Sequence, residues 1–118
     1  MDLSTAQLDE LRRDLEGLAR ELREALDESA TAARPVELDQ AAVGRVSRVD
    51  AIQQQKMVEA GRRAQSARLV LVQSALRRFD EDEYGDCLDC GDGVAFGRLK
   101  ARPETLFCIG CQSAREPS

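Results

Sequence analysis

The chain has 118 residues, 33% of them charged and only 3% aromatic, with no tryptophan and no histidine. So few large apolar side chains argue against a sizeable globular core, and the absence of histidine removes the commonest general base and every triad built on one. A formal net charge of -5 argues against a surface that attracts nucleic-acid phosphates as a whole, and no stretch approaches the roughly 20 apolar residues of a membrane span.

Met1 to Glu10 carries acids but no base and no apolar run of leader length, so a soluble, cytoplasmic protein is expected. From Leu8 the apolar positions Leu8, Leu11, Leu15, Leu18, Leu22 and Ala25 alternate in steps of three and four, the spacing of a coiled-coil seam. Such order separates this segment from a solvated, disordered acidic tail. Gly17 lies off the seam and costs about 1 kcal/mol against alanine, which the flanking leucines absorb.

Ser29 to Pro35 breaks the pattern, because Pro35 lacks an amide hydrogen and pushes Arg34 out of helical geometry. A hairpin tip is therefore expected within residues 29–39, centred near residue 36, with Asp39 also eligible as an N-cap. A second helix should then run to about Asp80 on the row Val43, Val46, Asp50, Gln53, Met57, Ala60, Ala64, Ala67, Leu71. Folding back at residue 36 would set Leu15 against Met57 and Val58, and Leu8 against Ala64 and Gln65, with leucines facing alanines. Asp50 and Gln53 then read either as register-setting polar contacts or as recognition groups near the tip. A second apolar face, Leu69, Val72, Leu76 and Phe79, would project beyond the first helix and need a cover. The fold class expected is mainly α: a long antiparallel coiled-coil hairpin over residues 1–80, followed by a small four-cysteine zinc finger and tail over 81–118.

Asp80 to Gly85 is a polar break that ends the helix. Its carboxylates, with Asp86, read first as a solvated helix end, although acids there oppose the helix dipole and call for basic neighbours. Cys87-Leu-Asp-Cys90 and Cys108-Ile-Gly-Cys111 follow, two Cys-x-x-Cys pairs separated by the 17 residues from Gly91 to Phe107. That is the spacing of a four-thiolate zinc ribbon or finger. Two residues between ligands let one tight turn aim both sulfurs at one ion, and Gly91 and Gly110 offer the backbone freedom such turns use. Four thiolates leave no open position, so a single zinc bound by Cys87, Cys90, Cys108 and Cys111 would be structural, and no residue is assigned a catalytic role. A redox dithiol and two disulfides compete with this reading. Both fit less well, because a redox motif ordinarily shows one pair in a strand-helix setting and a reducing compartment disfavours disulfides. A thiol switch that releases zinc on oxidation is compatible with a structural site. Arg98, Lys100, Arg102 and Arg115 give the finger a basic side, for surface solvation or anion binding.

A leucine-seamed hairpin, then Glu83-Tyr84-Gly85-Asp86-Cys87-Leu88-Asp89-Cys90-Gly91, Arg98-Leu99-Lys100-Ala101-Arg102-Pro103 and Cys108-Ile109-Gly110-Cys111, resembles the DksA/TraR zinc-finger family. The resemblance is specific over residues 79–113 and one of pattern in the hairpin. It implies a bacterial regulator that reaches into the secondary channel of RNA polymerase with its coiled-coil tip and alters transcription initiation, as in a stress or stringent response, often with the alarmone ppGpp and without sequence-specific DNA contact; an intramolecular hairpin itself predicts a monomer. The family's Asp-x-x-Asp-x-Ala tip motif is matched in its second half by Asp39-Gln40-Ala41, with Val36 at the first aspartate. Val49-Asp50-Ala51 is a second register. The tip candidates are thus Asp39, Ala41 and Asp50. Arg102 matches a basic finger position and is the candidate ppGpp contact, while Gln112 follows the last cysteine where a lysine is common. The rival functions are an adaptor or stress protein of the same architecture, a nucleic-acid binder, and a thiol-based redox protein.

Overall fold

The computed structural model describes residues 3–30 and 45–116. Among these residues four helices follow in order: α1, Thr5–Ser29; α2, Arg45–Asp80; α3, Phe96–Ala101; and α4, Ile109–Arg115. Among the described residues there is no β-strand, only an isolated antiparallel bridge between Asp86 and Gly93. A mainly helical chain with a hairpin of two long helices and a compact cysteine-bearing end matches the fold class expected from the sequence.

α1 begins with a capping box: Ser4 Oγ accepts from the Gln7 amide at 3.1 Å, and Gln7 Oε1 accepts from the Ser4 amide at 3.0 Å. It has no basic residue in its last turn. The missing cation comes from α2, where the Arg62 guanidinium donates to the Leu26 carbonyl and to Ser29 Oγ. A cation on the last carbonyls satisfies orphan acceptors and opposes the negative end of the helix dipole.

The α1 seam is as the spacing predicts, with Leu11, Leu15 and Leu22 buried and Leu8 and Leu18 half-buried, and Ala19 completes the face. The register on α2 is not. Met57 is 73% exposed, Ala60, Ala64, Ala67 and Leu71 are also exposed, and Asp50 and Gln53 face solvent. The packing face is instead the second one, with Val72 and Ala75 buried and Leu69, Leu76 and Phe79 packed against them. Arg62 meets the end of α1 and Arg12 reaches Asp80 at 3.4 Å, so the helices pair about a point near residue 45, not 36. The physical reason is area: the Leu/Val/Phe row removes far more apolar surface from water than a row of alanines. In consequence α1 covers the C-terminal part of α2, and the first turns of α2 extend beyond it. The expected tip, 29–39, with Asp39 and Ala41, falls almost wholly outside the described residues. α2 itself starts at Arg45.

The cysteine-bearing segment docks on the open end of the hairpin. Tyr84 stacks on Phe79 with ring centroids 4.1 Å apart, and its hydroxyl donates to the Pro103 carbonyl at 2.8 Å. Val94 and Leu99 enter the same core as Leu11 and Val72. Around it lie Lys100 with Asp14 at 2.8 Å and Glu10 at 3.3 Å, and Arg68 with the buried Glu104 at 2.9 Å.

Burial pushes the Tyr84 phenol well above its ordinary value near 10; Arg78 opposes the rise, and Glu104 and Asp14 add to it. Because the folded-state value is raised, the stability contribution is intact below about pH 10 and is lost as pH climbs through the folded-state value. Tyr84 is the only tyrosine. Its tyrosinate absorbance should titrate well above 10 in the native protein and near 10 in denaturant; a native midpoint near 10 would contradict the packing.

Candidate metal centre

The first cysteine pair sits on a turn that leaves the end of α2. The Cys87 amide donates to the Asp92 carbonyl at 2.8 Å, and Gly91 returns its amide to the Cys87 carbonyl at 3.0 Å. Gly91 closes this turn at φ +76°, left-handed backbone that a side chain would disfavour. The second pair opens α4, with Cys108 at the N-cap position and Gly110 inside the helix. Gly110, unlike Gly91, therefore supplies no special backbone geometry. The Leu88 amide donates to the Leu106 carbonyl at 3.0 Å, which joins the two turns side by side.

This brings the sulfurs of Cys87, Cys90, Cys108 and Cys111 within 4.8 Å of one another, with Cys87 buried and Cys90 exposed. A tetrahedral zinc with bonds of about 2.3 Å has sulfur–sulfur edges of about 3.8 Å, and Cys90 Sγ to Cys108 Sγ is 3.8 Å. The donor chemistry fits as well. Hydrogen bonds from the backbone at Cys90 and Cys108 lower the Cys87 thiol to about 6. Crowding by the sulfurs of Cys108 and Cys87, together with desolvation, pushes Cys111 up to about 12. Four sulfurs so placed do not all ionise unaided, and a divalent cation among them is what makes four thiolates compatible. The site takes one structural zinc, and its closed shell leaves no position for a substrate.

Side chains around the cluster are spent on holding it. Asp89, between the first two cysteines, forms a two-pronged pair with Arg115 of α4 at 2.6 and 2.8 Å, and Arg115 lies over the Phe107 ring at 4.1 Å. That hydrogen bonding holds the Asp89 carboxyl below the ordinary carboxylate range. Arg98 donates to the Phe107 carbonyl at 3.0 Å. The basic side expected of the finger is thus largely engaged: Arg98, Lys100 and Arg115 all have partners, although Lys100 and Arg115 are exposed. Arg102 is exposed, pairs with no carboxylate among the described residues, and borders a groove of about 440 Å3 with Ala64, Ala67, Leu71, Phe107 and Gln112. Asp50 is exposed on α2, far from the cysteines and beyond the end of α1.

Sequence reasoning did not find Arg78 or the Arg68–Glu104 pair. Arg78 reads in sequence as an ordinary basic residue closing a helix, and Glu104 as one more surface acid; only the fold shows them buried.

Residues 82–117 match the model of the prokaryotic dksA/traR C4-type zinc finger. The RNA polymerase-binding transcription factor DksA of Escherichia coli K12 is 27% identical over 117 residues, covering 97% of this chain and 74% of that protein. The factor of the same name from Haemophilus influenzae is 36% identical over 45 residues, 38% of this chain and 31% of that one. Among solved structures, transcription factor DksA2 from Pseudomonas aeruginosa superposes with a TM-score of 0.76 at 22% identity, covering 95% of this chain and 84% of that one.

Proposed function

Taking the chain as a member of the DksA/TraR family, we propose that it is a non-enzymatic, cytoplasmic bacterial regulator that binds RNA polymerase. The observation that carries this is the combination of a match over 97% of this chain to RNA polymerase-binding factors with a closed four-cysteine site that has no position for a substrate. In this reading zinc fixes the finger and the finger fixes the open end of the hairpin. The far end of α2 and the segment 31–44 then form the effector that enters the secondary channel and changes initiation.

The exposure of Asp50 supports its place in that effector, since it is not spent on α1. Asp39 and Ala41, outside the described residues, are carried in this reading on the resemblance of Asp39-Gln40-Ala41 to the family's tip motif. Arg102 is the one finger cation of the four expected that stays unpaired, and a ppGpp contact would fall to it. The groove beside it has a mixed lining, with Ala64, Ala67, Leu71 and Phe107 alongside Arg68, Glu104 and Gln112. Direct sequence-specific DNA contact and membrane association are not part of this reading, and an intramolecular hairpin is expected to act as a monomer.

Asp39→Asn and Asp50→Asn test the effector. At saturating zinc-loaded protein, at least one should weaken the change in open-complex lifetime by about tenfold, roughly 1.4 kcal/mol, while binding is retained. Unchanged lifetimes with both variants would move the effector elsewhere and favour an adaptor with the family architecture.

A further inference from the structure

We propose that Arg78 and Arg98 are a matched pair of positioning residues for the metal centre, each clamping the carbonyl that precedes the first cysteine of one Cys-x-x-Cys pair, and that Arg78 ties zinc retention to the hairpin. Arg78 Nη2 donates to the Asp86 carbonyl at 2.6 Å and to the Glu83 carbonyl at 3.4 Å. Arg98 Nε donates to the Phe107 carbonyl at 3.0 Å, and its Nη2 lies 3.5 Å from Thr105 Oγ1. Asp86 and Phe107 hold corresponding places, directly before Cys87 and Cys108.

The carbonyl before a cysteine and the amide of that cysteine share one rigid peptide plane. Fixing the carbonyl fixes the plane, and so the N–Cα bond from which the cysteine's own φ and χ1 then aim the thiol. For Cys87 both ends of the plane are held, the carbonyl by Arg78 and the amide by Asp92.

Burial sharpens the argument for Arg78. It is only 7% exposed, and its Nε and Nη1 meet no acceptor among the described residues. A buried guanidinium with unspent donors is costly unless an opposite charge lies near. Zinc with four thiolates carries about two net negative charges, and the Asp86 carbonyl that Arg78 holds leads directly into its first ligand, Cys87. The clamps differ in origin: Arg98 belongs to α3 within the finger, whereas Arg78 belongs to the last turn of α2. Arg78 therefore carries the state of the metal centre into the hairpin.

The test uses full-length, zinc-loaded protein and competition with a chromophoric chelator. Arg78→Met and Arg98→Met should each lose about 10–100-fold in zinc affinity, the usual effect of removing an outer partner of a metal site. Arg78→Lys keeps the charge but offers a point donor in place of the fork, and should regain part of the loss. Arg62→Ala, at the other end of the hairpin contact, should lower Tm and leave zinc affinity unchanged. Zinc removal from the unaltered chain should speed amide exchange in the last turn of α2. The proposal is overturned if both methionine variants behave as Arg62→Ala does, with lower Tm and unchanged zinc affinity, or if exchange in that turn ignores zinc. Should Arg78→Met fail to fold, unchanged zinc affinity in Arg78→Lys overturns the part assigned to Arg78.

Discussion

Cys108→Ser should abolish stoichiometric zinc binding and unfold the segment from Tyr84 to Arg115. Little else can hold that segment. α3 and α4 have 6 and 7 residues, too short to persist alone. Its buried apolar residues are few, chiefly Tyr84, Val94 and Leu99. Structural zinc contributes on the order of 10–16 kcal/mol in small zinc-finger peptides, more than any packing term available here. Losing the finger also strips Leu11 and Val72 of their cover, so the open end of the hairpin should fray. Zinc content and the melting curve check this together; a variant with full zinc and a cooperative transition like that of the unaltered chain would contradict it.

Leu15→Ala should cost about 2–5 kcal/mol, the range for emptying a buried leucine site, whereas Met57→Ala should stay within about 0.5 kcal/mol. Leu15 is wholly buried and Met57 is 73% exposed. The contrast tests the register itself. Pairing about residue 36 would put these two side chains against each other and make both changes costly, whereas pairing about residue 45 separates them. Denaturant midpoints for the two variants decide it, and comparable losses would restore the shorter turn.

Why the sequence misled at α2 and not at α1 is a matter of how many apolar rows each helix carries. α1 has one, so its buried face was legible from spacing alone. α2 has two: Met57, Ala60, Ala64, Ala67 and Leu71, regular but small, and Leu69, Val72, Leu76 and Phe79, shorter but bulkier. Regularity favoured the first; buried area chose the second, and no local signal places a turn within three residues between segments of mixed polarity. The metal centre was legible because two Cys-x-x-Cys pairs impose their geometry through spacing. Its supports were not, since Arg78 and Arg98 act on backbone carbonyls, which every residue has and no pattern marks. Glu104 hid for a similar reason, as its partner Arg68 lies 36 positions away.

The measurement that bears most directly on the central claim is the affinity of the intact, zinc-loaded chain for bacterial core RNA polymerase. The account predicts saturable, one-to-one binding at or below micromolar protein that is lost when zinc is stripped and the finger unfolds. Absence of binding at that concentration, with zinc content and helicity intact, would contradict it and leave the hairpin and finger as an architecture serving another partner.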